Sequence, residues 1–225
     1  MQQKQRGKAR KSEIFAGLTI LAAAFTFMIA LLIDFRFISP YGTPGEDLSY
    51  LFEHVPNQLA SSIAWLATAL TTLLAMPFYV YAFHRRTRVL STLNALLVFG
   101  ASAGFVMMGI SGLQLHHALL ESLAGDSSST VDEQTRIAIL ELFLDQQQYR
   151  HIGSSLLGAF AFGLGLTRFR LKKFPTLSSL LLILSGPALI YFNWYDPDHV
   201  IRTAAIAGML VGILIFSSRL INRGM

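Results

Sequence analysis

The feature that most constrains this chain is a long uncharged stretch in its middle. Residues 89–115 contain no charged side chain, and His116, His117 and, one turn later, Glu121 follow them. A helix needs about 20 mostly apolar residues to cross a bilayer. Residues 89–117 therefore predict a transmembrane helix, and the chain as a whole predicts an all-α integral membrane protein.

Small residues lie on two sides of this predicted helix. With 3.6 residues per turn, Gly100 and Gly104 fall on one side, and Gly109 and Gly112 fall on an adjacent side. Small side chains let helix backbones approach closely in lipid, where packing replaces the hydrophobic drive. The pattern predicts neighbours on both sides and hence a central position in a bundle. Gly158 is a further packing candidate, in a later span.

Five more apolar segments complete a predicted bundle of six transmembrane helices in a single domain, residues 13–219. A basic cytoplasmic tail, residues 1–12, precedes this domain, and a short cytoplasmic tail, residues 220–225, follows it. Ser185, Gly186 and Pro187 predict a kink or a local break in the fifth span. The six predicted spans are residues 14–34, 58–83, 89–117, 152–168, 175–195 and 200–218.

Two further segments have helical periodicity but too few apolar residues to span a bilayer. Residues 43–46 predict a capping box, and apolar residues follow at helical spacing as far as Val55. A second amphipathic segment runs from residue 133 to Asp145, and the glutamines after it are too polar for the hydrocarbon core. Both segments predict short amphipathic helices on the outer, non-cytoplasmic side.

The charges predict the orientation. Of the 18 lysines and arginines, 14 lie in the N-terminal tail, in residues 84–88, in residues 168–173 and after the sixth span. Of the 13 acids, 12 lie on the opposite side. Basic loops remain in the cytoplasm, so both termini are predicted to be cytoplasmic, in the cell inner membrane. The basic turns predict contacts with the lipid bilayer and its anionic headgroups, and not with nucleic acid.

Several kinds of chemistry are excluded by composition. The chain has no cysteine, which rules out disulfides, thiolate metal sites and iron–sulfur clusters. Every lysine lies on the predicted cytoplasmic side, which rules out a retinal Schiff base in mid-span. No phosphate loop, nucleophile elbow or H-E-x-x-H motif is present.

Most of the histidines and carboxylates lie on the predicted outer side, where a functional site is therefore expected. His116 and His151 each follow a stripe of small residues, so both are expected to point between helices. If they share a site, their imidazoles are expected within about 7 Å of each other, bridged by a metal, a water or a carboxylate such as Glu141 or Asp145. The alternative is that they cap helix ends or bond to a neighbour. The candidate ligand or metal-binding residues are His116, His117, Glu121, Glu141, Asp145, His151 and Asp34.

Three functions follow from this pattern. The first is a non-enzymatic membrane protein that binds a lipid or small molecule, or docks a partner, through an outward-facing polar cavity. The second is a membrane enzyme or redox protein with a metal or haem at the outer histidines and carboxylates. The third is a small transporter or channel that forms homo-oligomers through its glycine-rich faces. The sequence alone does not choose between an enzyme and a binding protein, and it identifies no cofactor.

Overall fold

The computed structural model describes residues 2–37, 51–84, 87–124, 133–172, 176–195 and 200–224. These ranges form six long α-helices and contain no strand. Each of the six is long and apolar enough to cross a membrane, which confirms the prediction of a membrane-embedded, all-α protein. In chain order they are α1 Gln2–Phe37, α2 Val55–Phe83, α3 Arg88–Ala124, α4 Glu133–Lys172, α5 Leu177–Tyr195 and α6 Val200–Gly224.

The helices form a closed ring. Each packs against its neighbours in the sequence, and α1 also packs against α6. Successive helices are antiparallel: His84 meets Ser91 at one end of α2 and α3 (3.4 Å), and Val55 meets His116 at the other (3.0 Å). The central position predicted for α3 is therefore wrong, because α3 has two main neighbours, as every helix in the ring does.

We call the end of the ring that holds the two chain termini the proximal end, and the opposite end the distal end. Helix α4 has 40 residues, which at 1.5 Å per residue is about 60 Å. This is about twice the ~30 Å thickness of a hydrocarbon core. Helix α3, with 37 residues, is nearly as long. Both helices are therefore longer than a single crossing requires.

The extra length of α4 changes the interpretation of the amphipathic segments. The segment predicted from residue 133 to Asp145 is not a separate short helix but the first part of α4. Its Ile139 packs in a small apolar cluster with Leu115 and Leu119 of α3 and Val55 of α2. Apolar contacts thus extend α4 beyond its predicted span. Residues 38–50, which hold most of the other predicted amphipathic helix, lie outside the described residues.

Glycines mark the closest helix crossings. A Cβ atom built on Gly104 would lie 2.9 Å from the Cα of Gly153, where α3 crosses α4. A Cβ on Gly158 would lie 2.9 Å from the carbonyl oxygen of Gly186, where α4 crosses α5. Both contacts are with backbone atoms, so neither crossing has room for a side chain. Helix α5 continues through Gly186 and Pro187 without the local break that was one of the two predictions there.

The other three predicted packing glycines also lie at helix contacts. A Cβ on Gly100 would meet Leu156 of α4 at 3.0 Å, and a Cβ on Gly109 would meet Leu66 of α2 at 2.6 Å. A Cβ on Gly112 would collide with polar side chains of both α2 and α4. The glycines of α3 thus face its two neighbours in the ring.

Aromatic side chains fill the interior of the ring. Trp65 is fully buried between Phe27 and Phe105, at centroid distances of 5.7 and 5.0 Å. Nearer the proximal end, Tyr79 packs edge-on against Phe160 at 5.8 Å. Between these two groups the described side chains enclose a cavity of only about 30 Å³, lined almost entirely by apolar atoms. That space holds about one water molecule, so the interior is a packed core.

Candidate functional site

The two histidines on which the metal hypothesis depends face different neighbours. His116 is hydrogen-bonded through Nδ1 to the carbonyl oxygen of Val55, at the start of α2 (3.0 Å). The ring of His151 lies 6.1 Å from that of Trp194, on α5. One histidine therefore points towards α2 and the other towards α5.

The register of α3 and α4 also separates these histidines along the helix axes. Gly104 lies opposite Gly153, and Gly112 lies opposite Gln146. This register places His151 level with about residue 106 of α3, some nine or ten residues from His116. At 1.5 Å per residue the axial separation is about 14 Å, too far for ligands that bind one metal at ~2 Å each. His116 and His151 therefore do not share a site.

The remaining predicted ligands are dispersed. His117 Nε2 lies 3.2 Å from Glu121 Oε1, and both side chains are largely exposed. Glu141 and Asp145 are exposed on α4. The side chain of Asp34 lies outside the described residues. Among the residues that are described, no three histidine or carboxylate side chains come close enough to hold a metal ion.

A buried amide pair connects α2 and α4 inside the ring. Gln58 Nε2 donates to Gln146 Oε1 at 2.9 Å, beside Gly112. Gln146 is completely buried. Its Nε2 has no hydrogen-bond partner among the described residues. The sequence could not reveal this pair, because the two amides that bond to each other are 88 residues apart.

A second polar cluster lies at the distal end, where α4, α5 and α6 meet. Its centre is Asn193, which is 2% exposed. Asn193 Oδ1 accepts a hydrogen bond from Arg202 Nε (2.9 Å), and Asn193 Nδ2 donates to Ser154 Oγ (2.8 Å) and Ser155 Oγ (3.3 Å). Three helices are thus connected through one amide. We call Arg150, His151, Ser154, Ser155, Asn193, Trp194 and Arg202 the distal corner.

Two arginine side chains lie near His151 in the distal corner. The guanidinium groups of Arg150 and Arg202 are both near enough to act electrostatically on the ring of His151. His151 Nδ1 is itself buried and has no hydrogen-bond partner among the described residues. The Ser154, Asn193 and Trp194 donors of the corner bind acceptors within the protein, so its described hydrogen bonds join α4 to α5.

Trp194 joins the distal corner to an apolar groove on the outside of the ring. Its Nε1 donates to Ser155 Oγ at 2.9 Å, yet 54% of the residue is exposed. On that exposed side Trp194 lines an open groove of about 640 Å³ on the last turns of α5. Tyr191 and Tyr195 stack at 4.9 Å along the same surface. The groove residues are Pro187, Ile190, Tyr191, Trp194 and Tyr195.

The proximal half of the ring contains a buried arginine. Arg168 is 3% exposed, and its guanidinium carbon lies 5.9 Å from the centre of the Phe216 ring. The sequence predicted this arginine at the start of a basic turn, but α4 continues as far as Lys172. Arg168 continues the stripe of the buried residues Ala161 and Leu164, at i+7 and i+4. That spacing was a signal in the sequence that could have located it.

A buried hydrogen-bonded group includes Thr167, the residue before Arg168 in the sequence. Asn94 Nδ2 donates to the Tyr79 hydroxyl at 2.7 Å, and that hydroxyl lies 3.4 Å from Thr167 Oγ1. All three residues are almost completely buried. They connect α2, α3 and α4 through hydrogen bonds inside the ring, which is a structural role.

Comparison of the chain with protein-family models, with curated proteins and with solved structures finds no match.

Proposed function

We propose that this chain is an integral protein of the cell inner membrane that binds a lipid at its distal end. The observation that carries the proposal is the position of Trp194. Its indole N–H belongs to the polar distal corner, and its exposed face belongs to the apolar groove. A lipid presents the same two chemistries side by side, a polar headgroup and an acyl chain.

The location of the groove favours a lipid over a soluble small molecule. Small-molecule sites are usually concave pockets that enclose most of the ligand. This groove instead opens sideways from α5. Tyr191, Trp194 and Tyr195 lie in the last two turns of an apolar helix, where aromatic residues commonly mark the boundary between acyl chains and headgroups. An acyl chain along α5 would thus bring its headgroup to the distal corner.

The orientation that we propose has both termini in the cytoplasm and the distal end outside. It rests on the basic residues that flank the proximal ends of the helices, because lysine and arginine are retained in the cytoplasm. Reporter fusions after Arg86 and after Lys172 are expected to be cytoplasmic, and a fusion after Asp126 is expected to be periplasmic. A periplasmic reporter at either basic position would refute this orientation.

The packed interior weighs against the alternative of a channel or transporter with a path through the ring. Trp65, Phe27 and Phe105 occupy that path in the distal half, and the cavity beyond them holds about one water molecule. The separation of His116 from His151 weighs against a metal or haem bound between them. No comparable observation weighs against a bound lipid.

Native mass spectrometry of the detergent-solubilised protein tests the proposal. We expect one phospholipid to remain bound to the wild-type chain. Trp194→Ala removes both the indole hydrogen bond and part of the groove, so it is expected to lose that lipid. The matched control is Leu214→Ala, which removes an exposed apolar side chain from α6, away from the groove. Equal retention in the two variants, or no retained lipid in the wild type, would refute lipid binding in the groove.

A further inference from the structure

We infer that the distal part of α4 binds an amphipathic helix of a partner protein, and that this helix has basic residues along its margin. The inference goes beyond lipid binding and does not depend on it. It depends on three features of α4: an apolar stripe that no described helix covers, the position of that stripe directly beyond the end of α5, and two carboxylates at its margin.

Helix α4 extends well beyond the end of α5. Gly158 lies opposite Gly186, and the two helices are antiparallel, so the last residue of α5 is level with about residue 149 of α4. Helix α4 begins at Glu133, roughly 16 residues earlier, which is about 24 Å at 1.5 Å per residue. No part of α5 accompanies this segment. We call residues 133–149 of α4 the extension.

The face of α4 that packs against α5 continues into the extension as an apolar stripe. Leu144 and Ile137 precede Gly158 by 14 and 21 residues, which places both within about 60° of it around the helix axis. Ile137 is 48% exposed and Leu144 is 60% exposed, and Leu140 between them is half-buried. Apolar residues at this spacing are those with which one helix packs against another. The stripe therefore has the form of a helix contact without its second helix among the described residues.

The position of the stripe determines which kind of helix fits there. The stripe faces the space directly beyond the end of α5, because it continues the face that α5 covers. A helix that packed on the stripe and continued into the bilayer would collide with α5. A second copy of this chain in the same bilayer is subject to that collision, since its own α4 would run parallel to the first and pass through the position of α5. The occupant is therefore a helix that lies outside the membrane.

Two carboxylates at the margin of the stripe determine the charge of the occupant. Glu141 and Asp145 are exposed on successive turns, and neither has an ion-pair partner among the described residues. The extension has one basic residue, Arg136, and this residue lies 4.0 Å from Glu133. Lysine or arginine at the margin of a partner helix complements such carboxylates, as in the flanking positions of coiled coils. A second copy in an opposed membrane would instead bring like charges together.

A single spin label reports binding at the stripe, because the chain has no cysteine of its own. Gln148→Cys places the label on α4 beside the stripe, and Gln114→Cys places a control label at an exposed glutamine of α3. The full chain in phosphatidylcholine nanodiscs is titrated with two synthetic helical peptides of three heptads each. Both peptides have leucine at the a and d positions, and their e and g positions are all lysine in one and all glutamate in the other.

The lysine peptide is expected to immobilise the label on α4 and to leave the label on α3 unchanged. The glutamate peptide should bind more weakly, by up to about 25-fold, because each of two exposed ion pairs is worth up to about fivefold in affinity. Leu144→Gln should abolish binding of the lysine peptide. The matched change Leu123→Gln, at a leucine of α3 that is 57% exposed, should leave it unchanged. Glu141→Lys combined with Asp145→Lys should reverse the preference between the peptides.

Equal affinity for the two peptides, or binding that survives Leu144→Gln, would overturn the inference. So would dipolar broadening of the label on α4 before any peptide is added, because it would show that a second copy covers the stripe. A label that oxygen reaches more readily than a water-soluble nickel complex would place the stripe among acyl chains and would also overturn it. None of these outcomes changes the retention of lipid in native mass spectrometry, so the proposed function is tested separately.

Discussion

The crossing of α4 and α5 offers the most direct test of the ring. A Cβ atom on Gly186 would lie 2.5 Å from the carbonyl oxygen of Gly158 and 3.0 Å from both the Cβ and the backbone nitrogen of Phe162. None of these atoms can rotate away, since all belong to the backbone or are fixed to it. Gly186→Ala therefore forces the two helices apart by adding a single methyl group.

A matched glycine makes the magnitude measurable. A Cβ on Gly208 would meet its nearest neighbour, Ser185 Cβ, at 3.5 Å, an ordinary contact. Alanine is favoured over glycine inside a helix by about 1 kcal/mol, and this gain applies to both positions. Overpacking costs about 1–3 kcal/mol and applies only to Gly186. The difference between Gly186→Ala and Gly208→Ala thus isolates the overpacking cost, at about 1–3 kcal/mol.

Thermal unfolding in detergent, followed by circular dichroism, measures this difference. For a chain of this size 1 kcal/mol corresponds to about 2–4 °C in Tm, so Gly186→Ala should unfold roughly 2–12 °C below Gly208→Ala. Gly100→Ala should fall between them, because its neighbour at 3.0 Å is the flexible end of Leu156. Equal Tm values for Gly186→Ala and Gly208→Ala would show that α4 and α5 do not cross at this glycine.

Three further predictions concern the interior and closure of the ring. Tyr79→Phe removes the hydroxyl that accepts from a buried asparagine of α3, so we expect a loss of about 1–3 kcal/mol in chemical denaturation, and no loss for the exposed Tyr81→Phe. Gln146→Leu leaves its amide partner on α2 buried and unpaired, with a similar loss of about 1–3 kcal/mol, and replacing both glutamines by leucine should restore part of it. Cysteines at Gly17 and Leu220, whose Cβ atoms would be 3.1 Å apart, should form a disulfide that holds the chain together after proteolysis between α3 and α4. Separation of the fragments without reductant would show that α1 and α6 do not close the ring.

The sequence predicted the spans because their main determinant is local. An apolar run either is or is not long enough to cross a bilayer, and its length can be read without knowing any neighbour. Glycine positions such as Gly104 and Gly158 were also informative, since only a very small residue permits a backbone-to-backbone contact. The bounds of α4 were harder to predict, and the helix extends beyond the predicted fourth span at both ends. Gln146 and Arg168 are polar. Whether such a residue ends a helix or lies buried inside it depends on the side chains of other helices that contact it.

The histidine hypothesis failed because it assumed a register. Successive antiparallel spans do bring their ends together, but the level at which each residue lies depends on which small residues meet. The contact of Gly104 with Gly153 fixes α3 against α4 so that His116 and His151 are about 14 Å apart along the axes. The sequences of α3 and α4 are compatible with several registers between the two helices, because each helix has more than one small residue on the contacting face.

The close helix packing that the glycines predicted also forms the distal corner, which the sequence did not predict. Serine is a short side chain, so Ser154 and Ser155 of α4 reach Asn193 and Trp194 of α5 only if the two backbones lie close together. The crossing of Gly158 with Gly186, about one turn away on α4, supplies that close approach. Any side chain at the crossing therefore lengthens the hydrogen bonds that position Asn193, and through it Arg202. Gly186→Ala should consequently weaken the retention of lipid as well as stability, whereas Gly208→Ala should reduce neither. This pairing links the fold of the ring to the proposed function of its distal corner.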